Sequence, residues 1–136
     1  MNPVNSLQGE NGLLSELNDQ GYLPPGVHTT TLDEFQQRFG FSAGRQTLLQ
    51  NLQELINIAS RAGALRIFID GSFVTNKENP GDIDAILVVS DDFDAYTQEA
   101  QILAQAKTRF NIHLFIERAQ NQERIHLWLV HHGVNS

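Results

Sequence analysis

The chain contains no cysteine. That excludes disulfides, thiolate metal sites and cysteine nucleophiles. It permits a cytoplasmic location, which is the expectation here. No apolar run approaches the length of a membrane span. Met1–Glu10 lacks both the basic region and the apolar stretch of a signal peptide. Basic residues are few: 9 Lys and Arg stand against 16 Asp and Glu, a formal net charge of −7. An extended nucleic-acid surface is therefore not expected, whereas a small tRNA or nucleotide site stays compatible. There is no internal repeat and no low-complexity segment. What remains is 136 residues, 40% of them hydrophobic, which suits one globular domain. The sequence divides into a polar, mobile N-terminal segment, residues 1–20, and a single domain, residues 21–136.

The most informative stretch is Arg66–Ser90. Ile67, Phe68 and Ile69 form a short run of strand formers, and Ile83 with Ala85–Val89 forms another. Between them lie Gly71-Ser72 and, after nine intervening residues, Asp82-Ile83-Asp84. Side chains alternate along a strand, so Asp82 and Asp84 share a face while Ile83 points into the core. Two neighbouring carboxylates repel, and a divalent cation relieves that conflict. Mg²⁺ takes one or two carboxylates together with substrate phosphates. Gly71 lets the backbone approach a ligand closely, and Ser72 offers a hydroxyl and an N–H to a phosphate oxygen. These parts suit metal-assisted attack on a nucleoside triphosphate. Each part alone has a plainer reading, as a turn or a solvated strand end. Lys77, in the loop between the strands, is within reach of a triphosphate or is simply solvent-facing.

Before this stretch, Leu13, Leu14 and Leu17 predict a short helix ending near Gly21. Tyr22–His28 is extended, because each of Pro24 and Pro25 disfavours a helical residue before it. Thr31 with Glu34 forms a capping box for a helix carrying Leu32, Phe35 and Phe39 and ending at Gly40. Ser42 caps a second helix running to about Gly63, with Leu48, Leu49, Leu52, Leu55, Ile56, Ile58 and Ala59 on its apolar side. Arg45 and Arg61 are expected on its solvated face. After Ser90, the run Asp91, Asp92, Asp94 reads as the acidic first turn of a helix that carries Phe93, Tyr96, Ala100, Ile102, Leu103 and Ala106.

A third strand is predicted over Asn111–Glu117. Ile112, Leu114 and Ile116 would face one side, and His113, Phe115 and Glu117 the other. Glu117 lies roughly 13 Å from His113 along an extended strand, too far to share one metal. His113 suits a metal ligand or a base near neutral pH, or is an ordinary strand residue. Beyond Ala119, the spacing of Ile125, Trp128 and Leu129 favours a helix capped by Gly133, although Ile125, Leu127 and Leu129 also alternate as in a strand; just before the cap, His131 and His132 are expected as an exposed pair.

The order strand, Gly71-Ser72, polar loop, Asp82-Ile83-Asp84, strand resembles the signature of the polymerase-beta-like nucleotidyltransferase superfamily. Leu23–His28, Leu32–Gly40, Asp70–Lys77 and Asn79–Asp84 together resemble a small, largely uncharacterised bacterial family of that superfamily. The resemblance implies an α+β fold, a small mixed sheet with helices packed on it. It implies that Gly71 and Ser72 hold phosphate and that Asp82 and Asp84 hold Mg²⁺. Superfamily enzymes usually carry a third carboxylate on the strand where His113 stands here. Larger members hold the nucleobase or acceptor with an added helical domain; here the helices before Arg66, a second subunit or a partner protein would serve. The implied activity is binding of an NTP–Mg²⁺ complex and transfer of a nucleotidyl group to a hydroxyl. The alternative is a catalytically degenerate module that binds a nucleotide or a protein, including a toxin–antitoxin component. Against that last role, Phe73, Val74 and Thr75 replace the arginine that the toxin–antitoxin members typically carry after Gly-Ser.

Overall fold

A computed structural model describes Leu14, residues 16–24 and residues 27–121. Helix α1 (Leu32–Phe39) starts where the Thr31 hydroxyl accepts the Glu34 N–H at 3.0 Å. Asp33 and Glu34 favour the positive end of its dipole, and Arg38 the negative end. Helix α2 (Ala43–Arg61) starts in the same way at Ser42, whose hydroxyl accepts the Arg45 N–H at 3.2 Å. Its seven apolar residues from Leu48 to Ala59 are all buried. A turn through Gly63, at φ +95°, then reverses the chain into the sheet.

The sheet has three strands in the order β1 (Ala64–Asp70), β2 (Ile83–Val89), β3 (Ile112–Arg118). β1 runs antiparallel to β2, and β2 parallel to β3. The parallel pairing requires a crossover. Helices α3 (Gln98–Leu103) and α4 (Ala106–Phe110) supply it. Alternation along the strands turns Ile67 and Ile69, Ile83, Ala85, Leu87 and Val89, and Ile112, Leu114 and Ile116 toward the helices. They join the buried faces of α1 to α4 in one core. The result is a mixed α+β domain, with one small sheet and four α-helices among the described residues.

The opposite face of the sheet is set by register. Asp70, Asp84 and His113 form one row across the three strands, Phe68, Ile86 and Phe115 the next, and Arg66, Val88 and Glu117 a third. Ile86 and Val88 are buried there in a second small cluster with Phe68 and Ala119.

Four local expectations are corrected. Leu14 and residues 16–18 are not helical. The Asn18 carboxamide accepts the N–H groups of Gln20 and Tyr22, and Gly21 takes φ +86°, so local side-chain bonding draws the chain into a turn. Leu14 is nonetheless buried, and its carbonyl accepts from Arg38 at 3.0 Å, so packing extends into residues 1–20. The acidic run does not open a helix. Asp92 accepts from the Ser90 hydroxyl, Asp91 from the Gln120 N–H and Asp94 from the Tyr96 N–H, while Thr97 caps α3. Finally, Arg45 is fully buried rather than solvated. The third strand begins at Ile112, because Asn111 closes α4 in the left-handed conformation at φ 56°. The helix expected around Ile125, Trp128 and Leu129, its Gly133 cap and the pair His131 and His132 lie outside the described residues.

Candidate functional site

The antiparallel pairing of β1 with β2 brings the end of β1 beside the beginnings of β2 and β3. Asp70 therefore faces Asp84, and Asp84 faces His113. His113 Nδ1 lies 3.4 Å from Asp84 Oδ1, and its ring packs on Phe115 at 4.9 Å between centroids. Gly71 follows at φ +79°, a conformation that disfavours any side chain. A Cβ on Gly71 would collide with Asp84 Oδ2. The glycine thus lets the backbone pass directly against the central carboxylate.

The chain then turns through a short 3₁₀ segment, Gly71–Val74. Phe73 buries itself against Phe35 and Phe39. Arg45 fixes this turn from below. Its Nε donates to the Lys77 carbonyl, one terminal nitrogen to Phe39 and Phe73, and the other to Ser72 and Thr75, over 2.7–3.4 Å. All five N–H donors of the guanidinium are used on backbone carbonyls. The plane also lies over the rings of Phe41 and Phe73, at 4.2 and 4.6 Å. A strap supports the far side of the loop: Tyr22 bridges Thr75, and the Asn76 N–H donates to the Gly21 carbonyl at 3.1 Å.

The carboxylates differ sharply. Asp82 accepts from Lys107 Nζ of α4 at 2.6 Å, in a partly exposed pair. Asp70 is only 4% exposed, and neither of its oxygens has a hydrogen-bond partner. Burial first, and then the charge of Asp84, raise its pKa from 3.8 to about 7. Such a group is costly unless a proton or a cation neutralises it.

Residues 15–134 match a family of unknown function, DUF6932. The chain belongs to that family. No curated protein and no solved structure matches it. The DUF6932 match spans every helix and strand described above, so the row Asp70–Asp84–His113 and the Gly71 turn lie within the family's own domain.

In this DUF6932 protein, Gly71, Ser72, Asp82, Asp84 and His113 all come to one end of the sheet. Lys77 is exposed; its backbone N–H donates to the Thr75 hydroxyl at 3.1 Å. Glu117 sits two rows away, opposite Val88. Among the described residues, no three His, Asp or Glu side chains converge on a point where one metal ion would be held. The available donors are carboxylate oxygens, of the kind a hard cation takes one or two at a time while keeping water. The unpartnered Asp70 beside Asp84 fits such an ion.

Three residues of the site escape sequence reading: Asp70, Arg45 and Lys107. Arg45 left a signal. It precedes Leu48 and Leu49 by three and four positions, which places it on the buried stripe of α2. Asp70 left one as well, since alternation puts it on the face of Phe68, away from Ile67 and Ile69. Nothing in the pattern around Lys107 indicates a partner 25 residues earlier.

Proposed function

We propose that this protein is a nucleotidyltransferase-like domain that binds a nucleoside triphosphate with Mg²⁺ at the Gly71–Ser72 turn and the Asp84 carboxylate. One observation carries the reading. A glycine with positive φ runs its backbone against a carboxylate at the sheet end, beside a second, unsatisfied carboxylate. Phosphate oxygens and a divalent cation are the complementary pair for such a place. The connectivity supports a polymerase-beta-like fold: an antiparallel pair split by Gly-Ser, then a helical crossover to a parallel strand.

The residues divide the work as follows. Gly71 and Ser72 present backbone and hydroxyl to the phosphates, on a turn that Arg45 holds rigid. Asp84 offers oxygen to the cation. A divalent cation held there would supply positive charge against that of the phosphates. His113, with Nδ1 toward Asp84, has Nε2 to accept the proton of an acceptor hydroxyl. The hydroxyl oxygen bonds to the α-phosphorus as the bond to pyrophosphate breaks.

A second reading has its own support. Lys107 already neutralises Asp82, and an imidazole stands at the third-carboxylate position. Both favour a module that binds a nucleotide or a partner protein without chemistry. Calorimetric titration of ATP and GTP with Mg²⁺ tests the common ground. Metal-dependent binding by the wild type that is lost in Asp84→Asn is the expected result. A well-folded wild type that binds neither nucleotide refutes the proposal. Incubation with γ-labelled NTP then separates the two readings by whether labelled pyrophosphate is released.

A further inference from the structure

We infer that the cation at this site is held by Asp70 together with Asp84, and not by the Asp82–Asp84 pair that the sequence pattern suggests. The inference deepens the proposed function and rests on its reading of this sheet end as a cation and phosphate site.

Three observations carry it. Asp70 and Asp84 are direct cross-strand partners, on the same face of β1 and β2. In an antiparallel pair, opposed side chains stand at about 5 Å between Cβ atoms, within the span of two carboxylates sharing a small cation. Asp70 is 4% exposed, and neither oxygen meets a donor. Two cations of this site are committed elsewhere. Arg45 uses all five N–H groups on carbonyls, and Lys107 bonds Asp82 at 2.6 Å. A carboxylate shut from water, facing a like charge, with no donor of its own, is the strongest unmet demand for positive charge among the described side chains. Asp82 makes the opposite case, since its charge is already met. Replacing the Lys107 contact with a divalent ion would strip the ammonium of its partner for no gain in charge balance. The Asp70–Asp84 pair gains in full.

Mn²⁺ alone is the probe, titrated by calorimetry and followed by its EPR signal, against wild type, Asp70→Asn, Asp82→Asn, Asp84→Asn and Lys107→Met. Asp70→Asn and Asp84→Asn each weaken Mn²⁺ at least tenfold, while Asp82→Asn stays within threefold. Lys107→Met, which frees Asp82 without touching β1, also stays within threefold; it keeps the test sound if Asp70→Asn fails to fold by circular dichroism. A loss with Asp82→Asn but not Asp70→Asn overturns the inference. So does a tenfold gain with Lys107→Met, or no Mn²⁺ binding by folded wild type. Titration of ATP–Mg²⁺ separates this failure from failure of the proposed function. If Mn²⁺ binds through Asp70 and Asp84 but ATP does not bind, the inference stands and the nucleotide reading falls. If ATP–Mg²⁺ binds and is lost with Asp82→Asn and Asp84→Asn but not with Asp70→Asn, the nucleotide reading stands and the inference falls.

Discussion

Replacing Arg45 with methionine isolates what one buried guanidinium does for the Gly71–Ser72 turn. Methionine keeps the aliphatic stem and removes the five donors and the charge. The cost follows from which carbonyls lose their partner. Ser72 keeps the Thr75 hydroxyl at 2.6 Å. Lys77 is exposed and Thr75 is only partly buried, so their carbonyls regain water. Phe39 and Phe73 are fully buried and do not. Two buried carbonyls left unsatisfied cost about 1–3 kcal/mol each. Loss of the cation over the Phe41 and Phe73 rings adds about 1 kcal/mol. The sum is on the order of 5 kcal/mol, a large share of the roughly 5–15 kcal/mol that holds a domain together. Urea unfolding followed by far-UV circular dichroism reads it directly. At about 4 °C per kcal/mol, the melting temperature falls by about 20 °C. Arg45→Lys recovers less than half, because an ammonium has three donors and no planar fork. A loss below about 1 kcal/mol for Arg45→Met would show that the carbonyls do not depend on this residue, and the reasoning would be wrong.

Three further outcomes are expected. Asp70 binds its proton more tightly folded, at about 7, than unfolded, at 3.8. Its stabilising contribution is therefore complete below about pH 4 and lost as the pH rises through about 7, a change of up to about 4 kcal/mol. In EDTA, Asp70→Asn flattens urea stability across this window and exceeds wild type at pH 8; parallel profiles would refute the assignment. Gly71→Ala forces a side chain into a left-handed conformation and against Asp84 Oδ2, costing about 2–3 kcal/mol in urea unfolding. Lys107→Met breaks a pair whose lysine side chain is 61% exposed, so a melt should show a loss of less than about 1 kcal/mol.

Much of the fold was legible because local rules and tertiary packing agree. Thr31 and Ser42 announce their helices by capping, and the spacing from Leu48 to Ala59 announces the buried face of α2. Alternation placed Ile83 inward and Asp84 outward before any register was known. The reading failed where a side chain competes with the backbone. Asn18 replaces a helix by a turn, and Asp91, Asp92 and Asp94 bond loop groups instead of favouring a helix dipole. It failed again where charge and burial coincide. The rule that arginine is solvated sent Arg45 outward although its position on the apolar stripe sent it inward. The pairing of Asp70 with Asp84 was hidden for another reason. It depends on how β1 and β2 slide against each other, and the loop between them leaves that register open.

Arg45 and Asp70 together say something neither says alone. A buried cation donates to the Ser72 and Phe73 carbonyls, and a buried carboxylate stands two and three residues earlier in the chain. The shortest route to charge balance would join them as an ion pair, since breaking or missing such a pair leaves a buried charge uncompensated. The chain does otherwise. Phe39, Ser72, Phe73, Thr75 and Lys77 absorb the guanidinium, and Asp70 is left on the opposite face of β1 from the core, beside a second carboxylate. The consequence is a rigid turn next to a carboxylate pair in deficit of positive charge. Stability alone gives no reason to keep a carboxylate that costs energy above neutral pH when an asparagine of the same shape would not. A ligand that brings positive charge to that point does give one, because its binding converts the deficit into affinity.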